Sequence, residues 1–371
     1  MSQLSTYQRL VIKIGSAILV DADTGELRED WLNALARDIA ALRASGTQVT
    51  LVSSGAVALG RQRLSLSGTL SLAEKQACAS AGQSLLTRAY ERVLGKQDII
   101  TAQALLTLNN TEDRRQWLNA RSTLEKLLEL GAVPIINEND TVATNEIRYG
   151  DNDRLAARTA QMLGADGLVL LSDIDGLYTA DPRIDNTAKH IGNVEDMTDD
   201  IMSMGSGANS DAAVGSGGMA TKLMAAKIAM LAGCDMIICD GRDVGALGAL
   251  QNGAKHTHFK AGDTPTNARA QWIATTLKPT GELHLDDGAC KALRGGNSLL
   301  AAGVTRVSGD FAKGDAVSVM NKDGAEIARG LVSYWAKDAV RIIGKNSAEI
   351  PTILGFDNGA ALIHRDNLVM L

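Results

Sequence analysis

A glycine-rich segment that ends in a lysine is the part of this chain whose residue types point most directly to chemistry. It covers residues 215–222, Gly-Ser-Gly-Gly-Met-Ala-Thr-Lys, and leads into an alanine-rich helical pattern. The first N–H groups of a helix lack partners within it, and the helix dipole adds partial positive charge there, so an anion is favoured. Lys222 would add a full charge. The pattern indicates a phosphate site, although such a segment is as often a plain flexible connection.

Two familiar phosphate-binding motifs do not fit this segment. A P-loop requires Gly, four residues and then Gly-Lys-Ser or Gly-Lys-Thr, and the sequence has no such stretch. The dinucleotide pattern G-x-G-x-x-G also fails, because the Gly-x-Gly triplets that begin at Gly205 and Gly215 have Ser210 and Ala220 at the last position. We therefore expect a phosphate binder of another kind.

Further polar candidates follow short apolar runs. In chain order they are Lys13 with Gly15, Ser54, the Asn-Glu-Asn-Asp stretch 137–140, and Ser172 with Asp173. In open α/β sheets, ligands gather beyond the carboxyl ends of the strands. We expect these side chains to meet at one edge of a sheet.

Strands and helices alternate along the first three quarters of the chain. The apolar runs cover residues 10–14, 49–52, 133–136, 168–171 and 236–238. Helical patterns cover residues 31–43, 74–93, 113–130, 153–163 and 219–232. Continuous apolar strands that alternate with helices predict an α/β fold, with a mainly parallel open sheet between helical layers.

The pattern changes after Lys278. Residues 282–285, 316–320 and 339–343 form short, partly alternating apolar runs, separated by turn-forming residues, which is typical of a small β-rich module. A chain of 371 residues is also long enough for about two domains. We predict one domain over residues 1–278 and a second over residues 279–371.

The composition argues against nucleic-acid and membrane binding. Aromatic residues make up 3% of the chain and the net charge is −6, which does not suit base stacking or phosphate-backbone contacts. Residues 281–371 alone carry 10 Lys and Arg against 11 Asp and Glu. No apolar run approaches the ~20 residues of a membrane span. A small-molecule ligand and a cytoplasmic location are expected.

Taken together, these motifs resemble the glutamate 5-kinases of the amino-acid kinase superfamily, and the β-rich tail resembles the PUA domain, a small barrel, that many bacterial members carry. The matching stretches are residues 11–16 (VIKIGS), 54–56 (SGA), 136–140 (INEND), 150–153 (GDND), 176–183 (GLYTADPR) and 217–222 (GGMATK). The pair INEND and GDND is closer to this family than to other amino-acid kinases.

The resemblance implies transfer of the γ-phosphoryl group of ATP to the side-chain carboxylate of L-glutamate, the first step of proline biosynthesis. Lys13 and Lys222 would contact the phosphates from two sides and stabilise the charge in transit. Asp153 would lie between them and hold both ammonium groups, with Asp151 as the alternative. The acceptor carboxylate is already ionised at neutral pH, so no general base is required.

The resemblance also assigns the binding residues. Asp140 would accept hydrogen bonds from the ammonium group of glutamate, Ser54 and Asn152 would donate to its carboxylates, and Asp151 is a further substrate-binding candidate. The ATP site would comprise Lys13, Gly15, Ser172, Asp173, Ser216, Gly217, Gly218, Met219, Ala220, Thr221 and Lys222. Mg²⁺ would be held mainly by the ATP phosphates, without dedicated protein ligands.

Family membership would further imply a homo-oligomer, either dimer or tetramer, with feedback inhibition by proline and a hand-off of product to the next enzyme of the pathway. The alternatives are another amino-acid kinase that acts on acetylglutamate or aspartate, or a regulatory protein whose PUA-like tail binds RNA. Structural roles also stay open at this point. Lys13 could extend from a strand to the surface, and Asp151 and Asp153 could cap a helix.

Overall fold

The computed structural model describes residues 3–21, 23–142, 152–205, 218–275, 278–356 and 358–371. The chain divides into two compact units, Met1–Pro265 and Thr266–Leu371. The predicted positions Asp151, Ser216 and Gly217 lie outside the described residues.

The first unit is built on one mainly parallel sheet. Its strands are β1 (Arg9–Ile14), β2 (Gln48–Ser53), β3 (Thr101–Leu106), β4 (Val133–Glu138), β5 (Gly167–Ser172), β6 (Leu177–Tyr178), β7 (His190–Ile191), β8 (Asn193–Val194), β9 (Asp235–Asp240) and β10 (His256–Phe259). The sheet order is β3-β4-β2-β1-β5-β9-β10-β8, and β6 pairs separately with β7. Within the large sheet, β9 and β10 are antiparallel and the other recorded pairs are parallel. The predicted α/β class is confirmed.

Helices cover both faces of this sheet. They are α1 (Ser16–Leu19), α2 (Glu29–Ala44), α3 (Ala56–Arg63), α4 (Leu72–Gly95), α5 (Leu108–Glu112), α6 (Arg114–Glu129), α7 (Asn152–Leu163), α8 (Asp199–Ser203), α9 (Met219–Leu231) and α10 (Ala246–Gln251). One apolar core contains side chains of α2, α4 and α10, and the other contains side chains of α6, α7 and α9. Each core packs against one face of the sheet.

The pleat of β1 decides which core each of its side chains enters. Leu10, Ile12 and Ile14 belong to the core with α2 and α4, whereas Val11 belongs to the core with α7 and α9. Successive side chains of a strand point to opposite faces, so Lys13 points to the same face as Val11. The lysine is therefore directed towards α7 and α9.

Helices α3 and α4 approach each other closely because two glycines meet the opposite backbone. A β-carbon on Gly60 would lie 1.8 Å from the carbonyl oxygen of Cys78, and one on Gly82 would lie 1.8 Å from that of Ala56. No side chain fits in either place. This contact fixes the position of α4 relative to the start of α3.

The second unit is rich in β structure, as predicted. Its strands are β11 (Gly281–Leu285), β12 (Leu299–Leu300), β13 (Val304–Gly309), β14 (Ala316–Met320), β15 (Glu326–Leu331), β16 (Ala361–Ile363) and β17 (Leu368–Met370). Its helices are α11 (Pro265–Thr275), α12 (Asp287–Arg294), α13 (Ala336–Ile342) and α14 (Ile350–Leu354). The larger sheet has the order β13-β11-β14-β15-β17, and β12 pairs with β16.

Two details of the sequence analysis are corrected here. Residues 339–343, expected as an extended run, lie mostly in α13, where Ala336, Ala339 and Ile342 are buried at helical spacing. The strand β3 was not predicted, because only Leu106 of its six residues is buried and no apolar run marks it.

The predicted domain boundary at residues 278 and 279 stays a prediction. The two compact units meet earlier, between Pro265 and Thr266. The reason is that Ile273 of α11 packs with Ala316 and Leu331 of the second unit. Among the described residues, no helix has both the length and the apolar character needed to cross a membrane.

Candidate active site

A cavity of about 760 Å³ opens at the carboxyl ends of the central strands of the first unit. Its lining includes the ends of β1, β2, β4 and β5 and the residues that follow them, as expected for an open α/β sheet. Of the predicted site residues, the lining contains Lys13, Gly15, Ser54, Asp140, Asn152, Ser172, Asp173 and Lys222. The structure thus brings together most of the residues that the sequence singled out.

Two lysines at this cavity share one buried carboxylate. Lys13 Nζ lies 2.7 Å from Asp153 Oδ1, and Lys222 Nζ lies 3.3 Å from Asp153 Oδ2. Asp153 is fully buried, and the two lysines are 7% and 5% exposed. Both ammonium groups reach the cavity, while the carboxylate that holds them lies behind its lining.

The three residues meet because three elements converge. Lys13 comes from β1, Asp153 from the first turn of α7, and Lys222 from the first turns of α9. Thr221 Oγ1 also lies beside this carboxylate, and its single proton is directed between the Gly218 carbonyl oxygen at 2.8 Å and Asp153 Oδ2 at 3.1 Å. Asp153 therefore lies in the first turn of α7, where a negative charge is favourable to the helix dipole, and its carboxylate is directed to the two lysines.

The charge of Asp153 is maintained by its partners. Burial alone would raise the pKa of this carboxyl group, but the ammonium groups of Lys13 and Lys222 outweigh that effect and lower it. The carboxylate consequently stays ionised at neutral pH. It can hold the two ammonium groups a short distance apart, so that both could contact the phosphate groups of one polyphosphate ligand.

The N-terminus of α9 provides backbone donors beside Lys222. Gly218 is the N-cap residue and gives no side-chain cap to the helix. Met219, Ala220 and Thr221 begin the helix and are partly exposed. The first N–H groups of a helix have no partner within it, and together with the helix dipole they make this end suited to an anion.

Another part of the cavity lining is formed at the junction of β2 and α3. Gly55 has φ 109°, in the left-handed region that favours glycine, and it leads the chain from Ser54 directly into α3. Ser53 and Tyr90 share a buried hydrogen bond of 2.8 Å between their hydroxyl groups. This contact ties the end of β2 to α4 and fixes the position of Ser54.

Asp140 lies just beyond β4 and lines the cavity. Burial raises the pKa of its carboxyl group to about 6. The charged form of a partly buried carboxylate is less stabilised by water than that of an exposed one. A cationic ligand therefore stabilises it more strongly. Asp140 is therefore well placed to bind an ammonium group.

Ser172 and Asp173 lie at the end of β5, next to β1 in the sheet. Ser172 Oγ donates to Asp173 Oδ1 at 3.1 Å, and the backbone oxygen of Ser172 accepts from Gly241 N at 2.7 Å. Gly15 lines the cavity between these residues and Lys13. The three positions line the cavity at the ends of the neighbouring strands β1 and β5.

The sequence analysis missed several cavity residues. Asn137 was noted only as part of a polar stretch, although it lines the cavity and bonds to Asn152. Arg61 and Lys75 add two basic side chains to the lining, and the Arg61 guanidinium donates to the backbone oxygens of Leu66 and Gly68. Only Asn137 had a sequence signal, its place after an apolar run. Arg61 and Lys75 lie in helices, where charged residues are normally solvated.

Comparison with known proteins bears on the whole chain. A model of the amino acid kinase family matches residues 8–240, and a model of the PUA domain matches residues 281–354. The glutamate 5-kinase of Agrobacterium fabrum is 55% identical over 368 residues, which cover 99% of this chain and 94% of that protein. The glutamate 5-kinase of Paramagnetospirillum magneticum is 55% identical over 370 residues, covering 100% of both. That of Rhizobium rhizogenes is 56% identical over 368 residues, covering 99% of this chain and 94% of that protein.

Proposed function

Since this chain belongs to the amino acid kinase family, and within it to the glutamate 5-kinases, we propose that it transfers the γ-phosphoryl group of ATP to the side-chain carboxylate of L-glutamate. The products are L-glutamyl 5-phosphate and ADP. The observation that carries this proposal is the pair of lysines, Lys13 and Lys222, held by one buried carboxylate at the cavity.

The geometry suits phosphoryl transfer because that reaction depends on alignment and on positive charge. An oxygen of the glutamate side-chain carboxylate forms a bond to the γ-phosphorus, and the bond from that phosphorus to the bridging oxygen of ADP breaks. Lys13 and Lys222 would stabilise the charge on the transferring group and on the leaving oxygen. Asp153 would keep the two ammonium groups in place throughout.

The binding roles follow from the position of each residue. Asp140 would accept from the substrate ammonium group, and Ser54 and Asn152, which are hydrogen-bonded to each other, would bind the same amino acid. Gly15, Ser172, Asp173 and the start of α9 would bind ATP. Asp151, Ser216 and Gly217 belong to this proposal on the strength of the sequence pattern alone, since they lie outside the described residues.

A divalent metal accompanies ATP in kinases of this kind, and we propose Mg²⁺. Among the described residues, no cluster of three His, Cys, Asp or Glu side chains could hold a metal ion. Glu138 and Asp173 supply carboxylate oxygens to the cavity, which fits a hydrated Mg²⁺ whose other ligands are phosphate oxygens. When bound, the ion neutralises charge on the phosphates.

Family membership also supports a cellular setting. We propose that the enzyme works in the cytoplasm, catalyses the first step of proline biosynthesis and is inhibited by L-proline. We also propose a homo-oligomer, dimer or tetramer, that hands its product to the next enzyme of the pathway. The near-full-length identity to glutamate 5-kinases is the support for these statements.

An acceptor panel tests the proposed reaction. ADP release would be measured with ATP and Mg²⁺ and with L-glutamate, L-aspartate or N-acetyl-L-glutamate as acceptor, while hydroxylamine traps any acyl phosphate as a hydroxamate. We expect hydroxamate with L-glutamate. Turnover with only aspartate or acetylglutamate would show that the enzyme has the acceptor specificity of another amino-acid kinase. No turnover with any acceptor would refute the proposal.

A further inference from the structure

A chain of hydrogen bonds leads from the cavity into α4. Asn152 Nδ2 donates to Ser54 Oγ at 2.7 Å and to Asn137 Oδ1 at 3.1 Å. Asn137 Nδ2 in turn donates to Gln83 Oε1 at 2.8 Å. Asn137 and Asn152 are 3% and 4% exposed, so both amides depend on protein partners. Ser54, Asn137 and Asn152 line the cavity.

The direction of this chain is fixed at its centre. The backbone N–H of Glu138 donates to Asn137 Oδ1 at 2.8 Å, and a backbone N–H can only donate. Oδ1 of Asn137 must therefore face Glu138 and Asn152, which leaves its Nδ2 for Gln83. The amide assignment of Asn137 follows from this backbone contact alone.

The far end of the chain is fixed in the same way. Thr87 Oγ1 donates its only proton to the backbone oxygen of Gln83 at 2.9 Å, so towards the Gln83 side chain it can only accept. Gln83 Nε2 donates to it at 3.4 Å. The other end of that amide, Oε1, consequently faces Asn137. Gly82 holds this part of α4 against α3 and so sets the position of Gln83.

The polarity determines what the cavity offers to a ligand. Asn152 uses both hydrogens of Nδ2 on Ser54 and Asn137, and its Oδ1 is buried without a hydrogen-bond partner among the described residues. Ser54 Oγ accepts from Asn152, so its own proton is available to a ligand. The cavity wall therefore offers a hydroxyl donor from Ser54, while both amide hydrogens of Asn152 are engaged by protein atoms.

We propose that Gln83 is a positioning residue for the amino-acid substrate, through the chain Gln83, Asn137, Asn152 and Ser54. The proposal rests on the proposed function. It gives Asn152 the role of holding Ser54 in place, and not the donor role towards the substrate that was expected from the sequence, because both hydrogens of its Nδ2 are used on Ser54 and Asn137. Ser54 keeps its predicted role as a donor to a carboxylate. Gln83 itself does not line the cavity.

The test compares two substitutions that differ in hydrogen bonding. Gln83→Met removes the acceptor and keeps the length of the side chain, whereas Gln83→Glu keeps an acceptor oxygen for Asn137. Leaving the buried Asn137 donor unpaired should raise KM for L-glutamate by about five- to tenfold. KM for ATP and kcat should stay within about twofold, because the lysines and the ATP wall are untouched. Gln83→Glu should restore KM for glutamate to near the wild-type value.

Controls separate positioning from folding. Gln97→Met makes the same change just beyond the end of α4 and should leave all constants unaltered. Thermal unfolding would show that each variant is folded. If Gln83→Met does not fold, Thr87→Val serves instead, since it removes the group that orients the Gln83 amide and should raise KM for glutamate by about twofold to threefold.

Three results would overturn the proposal. The first is an unchanged KM for glutamate in Gln83→Met, or in Thr87→Val if that variant takes its place. The second is an equal change in KM for ATP and KM for glutamate. The third is a Gln83→Glu enzyme whose KM for glutamate is raised as much as that of Gln83→Met. In each case wild-type turnover of glutamate leaves the proposed function intact. Absence of glutamate-dependent turnover in the wild-type enzyme would instead refute the proposed function, and this inference with it.

Discussion

At the scale of single residues, the account depends on one carboxylate that serves two cations. Asp153 is fully buried and contacts Lys13 and Lys222 through different oxygens. Removing one partner of a buried ionic group is strongly destabilising, because the remaining charges lose their compensation. The same ionic contacts therefore stabilise the site and position the two lysines for phosphoryl transfer.

Substitution of Asp153 tests this coupling. In Asp153→Asn the two ammonium groups lose the charge that holds them together, so we expect kcat to fall by at least about 100-fold. Steady-state kinetics with saturating ATP and glutamate would measure the change. Asp30→Asn, at an exposed position of α2, is the matched control and should behave like the wild type. A kcat within a few-fold of wild type would show that Asp153 does not organise the lysines.

The pH dependence should report Asp140. Its pKa is raised to about 6 by burial, so the carboxyl group of the free enzyme is neutral below that pH and ionised above it. Only the ionised form attracts the substrate ammonium group strongly, and kcat/KM for glutamate should therefore fall as the pH drops through 6. The glutamate side chain, with a pKa of about 4.3, stays ionised over most of this range.

Asp140→Asn provides the comparison. We expect the inflection near pH 6 to disappear and kcat/KM for glutamate at pH 8 to be low, with KM for ATP little changed. A pH–rate profile for both enzymes would decide. An inflection that survives the substitution would assign it to another group.

Residue types alone predicted much of the cavity, but they could not predict the hydrogen-bond chain. Lys13 and Ser54 were found because they end apolar strands, and Lys222 because it follows glycines at a helix start. Gln83 lies inside a helical pattern with nothing to distinguish it from a solvated glutamine. Its contact with Asn137 exists only because α4 packs close to the end of β4, which is a tertiary feature.

At the scale of elements, the close packing of α3 on α4 positions the substrate wall. Gly82 lies next to Gln83 and faces the backbone of Ala56, two residues after Ser54. One end of the hydrogen-bond chain therefore lies in α4, and the other, Ser54, lies two residues before the start of α3. Any separation between the two helices would disturb both ends at once.

Gly82→Ala should force that separation. The new methyl group would lie 1.8 Å from the carbonyl oxygen of Ala56, so α3 must shift. We expect a loss of about 1 to 3 kcal/mol in the free energy of unfolding and a higher KM for glutamate. Urea denaturation and kinetics would measure the two effects.

Gly95→Ala is the control on the same helix. No atom lies within 4 Å of a β-carbon placed there, so this change should be neutral or stabilising by up to about 1 kcal/mol. Equal stability of the two variants would contradict the packing argument.

Elements with a strong apolar pattern were predicted well, and the exceptions have physical reasons. The central strands and the helices α2, α4, α7 and α9 carry many buried side chains, and α6 contributes Leu124 and Leu128 to the core. The strand β3 lies at the edge of the sheet and is mostly exposed or half-buried, so its sequence lacks the apolar run of a central strand. The apolar run 339–343, which lies mostly in α13, has five residues, and these are too few to distinguish the spacing of a helix from the alternation of a strand.

At the scale of the whole molecule, the change of pattern near Lys278 predicts two domains with a boundary at residues 278 and 279, and this stays a prediction. The compact units divide earlier, between Pro265 and Thr266, because Ile273 of α11 packs with residues that are distant in the sequence. The cavity lies entirely in the first unit, since its lining residues fall between Lys13 and Lys222.

The charge of the chain predicts its behaviour towards RNA. With a net charge of −6, and with 10 basic against 11 acidic residues over positions 281–371, the protein lacks the electrostatic attraction that non-specific RNA binding requires. Gel-shift assays with structured RNA should show no salt-sensitive affinity. Binding that weakens steeply as salt rises would favour the RNA-binding alternative for the PUA domain.

The most direct test of the account follows a labelled γ-phosphoryl group from ATP to L-glutamate in a single turnover. Wild-type enzyme should transfer the label, and Lys222→Ala should transfer it at least about 100-fold more slowly. Lys227→Ala is the matched control, because Lys227 is an exposed lysine of the same helix, outside the cavity lining, and it should transfer at the wild-type rate. Transfer by Lys222→Ala at the rate of the control would contradict the central claim that the paired lysines carry the reaction.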